Sequence, residues 1–553
     1  MKFTMKRRNF LGIASAFAAL PLATRSHADA KAGDSNTGMA SPEVQFGDNI
    51  AIAPTNSGRV RGFIRGGIFT FRGIPYGDTT AGANRFMPPR KPQPWTNVRD
   101  SRTYGPTCPQ PPRRNLYTAE VDEFMLEREN GHPGEDCLCL NIWTPALDGK
   151  ARPVMFWLHG GGFFGQSSQG LSSYDGENLS RRGDVVVVSI NHRLGILGFL
   201  ELSHLGPEYE SSVNAGFLDI IAALEWTRDN IAGFGGDPKN VTIFGQSGGG
   251  GKVSTLLAMP AAKGLFHKAI VQSGSELTQG NRESKLKLTL ATLANLNLTI
   301  DQAAQLKDMP LDRLIPAGGI ASDSLRLVPP ERINWGPAVG TVDLPRQPFA
   351  PDAAPQSADI PLLVGSTQME LVGSLKNPEL ENISFDEAKQ KLIPRYGDRT
   401  VMIVEAYRAA FPEAKPVEIL AYAEASSSLS RTGVVKQAEL KAAQAAPVYV
   451  YWFGWKPKVL DGRPRAYHCS ELPFVFYNTD RCSTATGGTA EARALAGKMS
   501  DAWIAFARTG NPNHKGLPAW PKFDAKRGAL MLFDNTPAVL DDPDRVPRLL
   551  SLA

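Results

Sequence analysis

The chain has little cysteine: five in 553 residues, at Cys108, Cys137, Cys139, Cys469 and Cys482. An odd count leaves at least one thiol unpaired within the chain. There is no C-x-x-C pair and no Cys/His cluster at zinc spacing, and Cys137 and Cys139 would point to opposite faces of a strand, so no metal site is expected. Long apolar runs are missing too. The run at 11–23 is too short to cross a bilayer comfortably and contains Pro21, so no membrane span is expected. No internal repeat and no sustained heptad occurs.

Excess charge is small once the N-terminus is set aside. Lys6-Arg7-Arg8-Asn9-Phe10-Leu11 is a twin-arginine pattern, an Ala-rich apolar run follows, and Ala28-Asp29-Ala30 is an A-x-A-like cleavage site. Residues 1–30 therefore read as an export signal, with the mature chain periplasmic or secreted. Removing five basic residues and one acidic one takes the formal charge from +5 to +1. No basic surface for nucleic acid is implied. An oxidising destination favours pairing among the cysteines.

What is present is ample core material. Apolar residues make up 42% and charged residues 21%, as in a globular protein. Residues 31–48 are polar and Gly/Ser-rich and read as a flexible leader; 49–553 read as one large domain. Glycine-punctuated alternation over 50–73 predicts an antiparallel meander at a sheet edge. Residues 108–137 read as a long polar loop. The run at 154–158 is continuously apolar and that at 184–190 is Val-rich and too apolar to alternate, as expected of parallel strands covered on both faces. Further strands are predicted at 241–244, 269–272, 362–365 and 447–455, and helices over 217–231, 252–259 and 490–508. Residues 281–330 and 375–445 read as helical insertions. Alternating strands and helices predict an α/β fold with a large, mostly parallel sheet.

The chemistry centres on Gly245-Gln246-Ser247-Gly248-Gly249, which fits the strand–turn–helix pattern G-x-S-x-G of a nucleophile elbow. A serine on so sharp a turn needs small neighbours, and the glycines supply them. Its hydroxyl becomes a nucleophile only when a base takes its proton, and a carboxylate must fix that base. On this fold the chain order is Ser, acid, His. Of eight histidines, His27 lies in the signal, and His132, His159, His192 and His204 precede the serine. His267 is too close to the elbow for an acid-bearing strand to intervene, and His514 lies in a solvated loop. Elimination favours His468. For the acid, Glu370 lies beyond the carboxyl end of the strand at 362–365, where α/β sheets place their sites. Asp343 and acids in the helical insertions compete with it, and spacing does not decide. His159-Gly160-Gly161-Gly162 is an HGGG-type motif that supplies oxyanion donors, with the N–H of Gly248 on the other side.

Together these segments resemble the type B carboxylesterase family of α/β-hydrolases, which includes para-nitrobenzyl esterases and cholinesterases. The resemblance runs from about Gly58 to Phe533. It is carried by Phe71-Arg72-Gly73-Ile74-Pro75-Tyr76, Glu135-Asp136-Cys137-Leu138-Cys139-Leu140-Asn141-Ile142, the glycine motif after His159, Asn191-His192-Arg193-Leu194-Gly195, the elbow, Gln272-Ser273-Gly274, Glu370, and His468 with Glu471-Leu472-Pro473-Phe474. The resemblance implies Ser247 as nucleophile, Glu370 as acid, His468 as base and Gly161, Gly162 and Gly248 as oxyanion hole. It also implies a Cys108–Cys137 disulfide closing the loop that rims the active-site gorge.

Two departures stand out. The family elbow usually has Glu before the serine and Ala after it; here Gln246 and Gly248 stand there, which suggests a less negative and more open nucleophile site. The 108–137 loop has no Trp, only Tyr117 and Phe124, so the cation–π contact of choline binding is missing. The function implied is an exported serine carboxylesterase acting on a small-molecule ester, with no cofactor. Its alternatives are a carbamate or amide hydrolase with the same triad, and a non-catalytic binding protein on the same fold.

Overall fold

The computed structural model describes residues 43–112, 115–129, 131–326, 333–424 and 431–552. The expected signal and residues 31–42 of the expected leader lie outside the described residues. The strands are β1 (Val44–Gln45), β2 (Ile52–Thr55), β3 (Gly58–Arg61), β4 (Phe63–Arg65), β5 (Ile68–Pro75), β6 (Arg99–Asp100), β7 (Cys139–Thr144), β8 (Arg152–Leu158), β9 (Val186–Ile190), β10 (Gly236–Gln246), β11 (Lys268–Gln272), β12 (Leu362–Thr367), β13 (Val448–Phe453), β14 (Ala529–Phe533) and β15 (Ala538–Asp541).

Twelve of these form one sheet in the order β1-β4-β5-β7-β9-β8-β10-β11-β12-β13-β14-β15. From β9 to β14 every pairing is parallel, and antiparallel strands complete both edges. Every residue of β8, β9, β11, β12 and β13 is buried. That explains their mainly apolar sequences: a polar side chain on either face would lose water. The helices Gly248–Leu256, Arg431–Ala442 and Ala490–Thr509 pack against these strands. This is the α/β-hydrolase fold expected, and all the loops that matter leave the carboxyl ends of β8, β10, β12 and β13. Among the described residues no helix is long and apolar enough to cross a membrane.

Four expectations are corrected. Val44–Gln45, placed in the leader, pairs with β4 at the sheet edge. The meander at 50–73 is divided: β2 and β3 join β6 in a small separate sheet, while β4 and β5 enter the large one. The 108–137 segment contains a helix, Ala119–Leu126. Thr118 caps it by accepting from Val121 N at 3.2 Å, and its Asp122 gathers Leu116 N at 2.8 Å, Tyr117 N at 2.9 Å and Arg128 Nη2 at 2.9 Å. A helix of two turns is too short to declare itself by periodicity.

The fourth correction concerns the disulfide. All five cysteines are free, so neither Cys108–Cys137 nor Cys469–Cys482 is joined. Cys108 Sγ accepts from Leu194 N at 3.2 Å and donates to Pro109 O at 3.5 Å. Its contact with the Cys137 thiol, followed by burial, pushes the latter well above the ordinary thiol range. Backbone pairing holds the ends of the segment instead: Thr107 N donates to His132 O at 2.9 Å, and Gly134 N to Thr107 O at 3.0 Å.

Candidate active site

β10 ends at Gln246 and the next helix begins at Gly248, so Ser247 alone makes the turn. Its backbone is at φ 57°, ψ −126°, a region that side chains disfavour. Two backbone bonds hold it there: Ser247 N donates to Gln272 O on β11 at 2.8 Å, and Ser247 O accepts from Gly251 N at 3.0 Å. The helix starts four residues earlier than its sequence suggests. Four consecutive glycines are a poor helix start, but close backbone contacts require the first three: a Cβ would lie 2.2 Å from Gly162 O on Gly248, 2.0 Å from Leu158 O on Gly249 and 2.9 Å from Gln272 O on Gly250.

β8 leads into His159, Gly160, Gly161 and Gly162. Gly161 at φ 84° and Gly162 at φ 62° curl the loop back over the elbow, and Gly165 N closes the turn on Gly161 O at 3.0 Å. Among the described residues, the N–H groups of Gly161, Gly162 and Gly248 donate to no protein acceptor. The expectation of a more open site is overturned here. A Cβ on Gly248 would lie 2.2 Å from Gly162 O and 2.4 Å from Gly162 N, so the loop occupies the space that the missing methyl leaves. Gly248→Ala is therefore expected to push Gly162 off its position and to lower kcat by about 10²–10³-fold, the usual cost of one lost oxyanion donor. Steady-state kinetics on a p-nitrophenyl ester check this; wild-type kcat in the variant would refute it.

His468 follows β13 and Glu370 follows β12. The two loops are tied by backbone bonds, His468 N to Glu370 O at 3.2 Å and Met369 N to Ala466 O at 3.0 Å. The side chains meet as well: His468 Nδ1 donates to Glu370 Oε2. Glu370 Oε1 accepts from Ser273 Oγ at 2.6 Å and from Thr367 N at 2.9 Å. A carboxylate only accepts, so the ring hydrogen sits on Nδ1 and the Nε2 lone pair is left for a proton. Burial pushes the His468 imidazolium down, whereas its contacts with Cys469 and with the Glu370 carboxylate push its pKa up, and the net direction is upward from the ordinary histidine value. Behind the pair, burial and then the charge of Glu370 push Glu471 up to about 7. The competing acid Asp343 is elsewhere, accepting from Ser211 and Asn214. His267 accepts from Val241 N, and His514 donates to Lys498 O, as structural histidines.

Gln246 takes up a place that its sequence did not announce. Its Nε2 lies 3.4 Å from His468 Nδ1 and 3.3 Å from Nε2. Near-equal distances to both ring nitrogens put the amide over the ring face, not in line with either lone pair. Its Oε1 accepts from Cys469 Sγ at 3.4 Å. Among the described residues no hydrogen bond joins Ser247 Oγ to His468. Both, with Gly161, Gly162, Gly248 and Cys469, line one cavity of about 940 Å³. Glu370 stands behind His468, outside the cavity lining.

The model of the carboxylesterase family matches residues 49–546. The chain belongs to that family. It is similar to the para-nitrobenzyl esterase of Bacillus subtilis (strain 168), 35% identical over 520 residues that make up 90% of this chain and 97% of the relative. It is also similar to the phenmedipham hydrolase of Pseudarthrobacter oxydans, 34% identical over 489 residues, 87% of this chain and 94% of that one. Among solved structures, an esterase from Clostridium hathewayi that hydrolyses aliphatic aromatic polyesters superposes with TM-score 0.78 at 34% identity, covering 93% of this chain and 99% of its own. A Geobacillus stearothermophilus carboxylesterase gives TM-score 0.75 at 35% identity, with 90% and 99% covered.

The protein is thus an ester hydrolase of the serine-hydrolase type, acting on small-molecule esters. Sequence reasoning missed three of the esterase's site residues. Ser273 stood in a recognised motif without a role, and Gln246 was read only as a lost charge. The third, Lys252, stood at the start of an expected helix, and a lysine ordinarily points to water.

Proposed function

We propose that the esterase works through an acyl-enzyme formed on Ser247. Ser247 Oγ attacks the ester carbonyl as His468 Nε2 takes its proton. The oxyanion is received by the N–H groups of Gly161, Gly162 and Gly248, and His468 returns the proton to the departing alcohol. Water activated by the same histidine then releases the acid. Glu370 fixes the ring and its tautomer throughout, and no cofactor enters the route. The observation that carries this is the bond from His468 Nδ1 to Glu370, which leaves Nε2 as the basic nitrogen of a residue that lines the same cavity as Ser247. The bond from Ser247 Oγ to His468 Nε2 that this route needs closes in the substrate complex, as catalytic hydrogen bonds often do. Gln246 in place of a carboxylate, together with the absence of Trp from the 108–137 loop, supports neutral esters over choline esters. The twin-arginine pattern supports export.

A fluorophosphonate probe tests the mechanism. One equivalent is expected to attach, with the added mass on the peptide containing Ser247, and a p-nitrophenyl ester should give a burst of one equivalent of p-nitrophenol. Labelling at another residue, or none in active enzyme, would overturn the assignment.

A further inference from the structure

The elbow is followed by four glycines and then Lys252, and only the glycines are accounted for so far. Lys252 lies in the elbow helix with no exposure to solvent. Its Nζ donates to His159 O at 2.9 Å, and among the described residues it makes no other hydrogen bond. Around it sit two buried imidazoles, His159 and His192, stacked with centroids 5.1 Å apart. Each uses Nδ1 on a backbone carbonyl, Gly160 O at 2.8 Å and Arg193 O at 2.9 Å. Each Nε2 is buried and, among the described residues, has no hydrogen-bond partner. Among the described residues no carboxylate pairs with the lysine, and burial lowers its pKa to about 7. A buried amine in such surroundings is costly, and a methionine of similar length would fill the space without that cost.

What the lysine gains is a hold on one peptide group. The peptide from His159 to Gly160 opens the oxyanion loop, and residues 160–162 have no side chains with which to anchor themselves. One end of the loop is closed by Gly165 N on Gly161 O; the other end has Lys252. The neighbouring glycines let the loop approach this closely, since a Cβ on Gly249 would lie 3.0 Å from His159 O as well as 2.0 Å from Leu158 O. We propose that Lys252 is a positioning residue that clamps the oxyanion loop onto the elbow helix through the carbonyl of His159. It touches no substrate. It sets where the N–H groups of Gly161 and Gly162 point. The proposal rests on the acyl-enzyme reading given above.

Lys252→Met tests it. With the clamp gone, kcat for a p-nitrophenyl ester is expected to fall about 10–100-fold, the scale of a small displacement of catalytic groups, with KM little changed. Affinity for a trifluoromethyl ketone, whose adduct places an oxyanion in the hole, should fall in parallel, while inhibition by the product acid should not. Lys252→Gln keeps an N–H donor one bond shorter and should fall between; it also decides the matter if the methionine variant does not fold. A folded variant with wild-type kcat, or one whose kcat falls while ketone affinity holds, would overturn the clamp. The fluorophosphonate keeps the two ideas apart: Ser247 labelled in wild type with a neutral Lys252→Met refutes the clamp alone, whereas active wild type unlabelled at Ser247 refutes the mechanism beneath it.

Discussion

Ser247→Ala is expected to lower kcat by about 10⁶-fold, the scale seen when a serine hydrolase loses its nucleophile. The loss should be purely chemical. Alanine carries the same Cβ, so the turn at φ 57° and its bonds to Gln272 O and Gly251 N remain as they are. The melting temperature should therefore match wild type. Ser247→Gly should be equally inactive yet more stable, by about 1–2 kcal/mol, because glycine adopts that conformation without strain. Kinetics with a p-nitrophenyl ester and thermal unfolding of the three proteins check both halves. An alanine variant with more than about a thousandth of wild-type activity would mean that another group attacks the ester.

Glu370→Gln is expected to cost about 10⁴-fold in kcat, for a reason written in its hydrogen bonds. Ser273 Oγ and Thr367 N both donate to the Oε1 side. A glutamine must set its carbonyl oxygen there, which turns its NH₂ toward His468 Nδ1. Two donors cannot face each other, so the ring hydrogen moves to Nε2, where the base has to be empty. The remaining activity should also titrate differently. Glu370 is among the charges that hold the His468 pKa up. Its removal lowers that pKa, so the acid limb of the kcat/KM profile should move to lower pH. A variant within about tenfold of wild type, or one whose acid limb moves to higher pH, would contradict this account.

The parallel core was legible in the sequence because burial on both faces leaves a mainly apolar signature, as at β8 and β9. His468, the proposed base, was reached by chain order and elimination. The acid was less so: Glu370 and Asp343 are both loop acids after the elbow, and resemblance separated them where spacing did not. Their environments divide them physically. The register of β11 on β12 pairs Gln272 with Gly365, which brings Ser273 beside Glu370, and no linear pattern encodes that neighbour. The helix at Ala119–Leu126 and the glycine start of the elbow helix escaped for opposite reasons. The first is too short for its period to show. The second defies helix propensity because β8 and the oxyanion loop press on it. The disulfide was an inference by likeness, and two thiols side by side are what the fold contains.

One consequence of the sheet order concerns how activity first appears. Gln246 and His468 meet across 222 positions of sequence, and Glu370 and His468 across 98. Closing such distances is slow compared with forming local structure. The base loop is held only once β13 has joined β12, and β12 has joined β11 beside the elbow. A chain in which β12 and β13 have not yet docked lacks His468 and Glu370 beside the elbow and stays inert. The return of ester hydrolysis therefore times the docking of the C-terminal strands, not the collapse of the core.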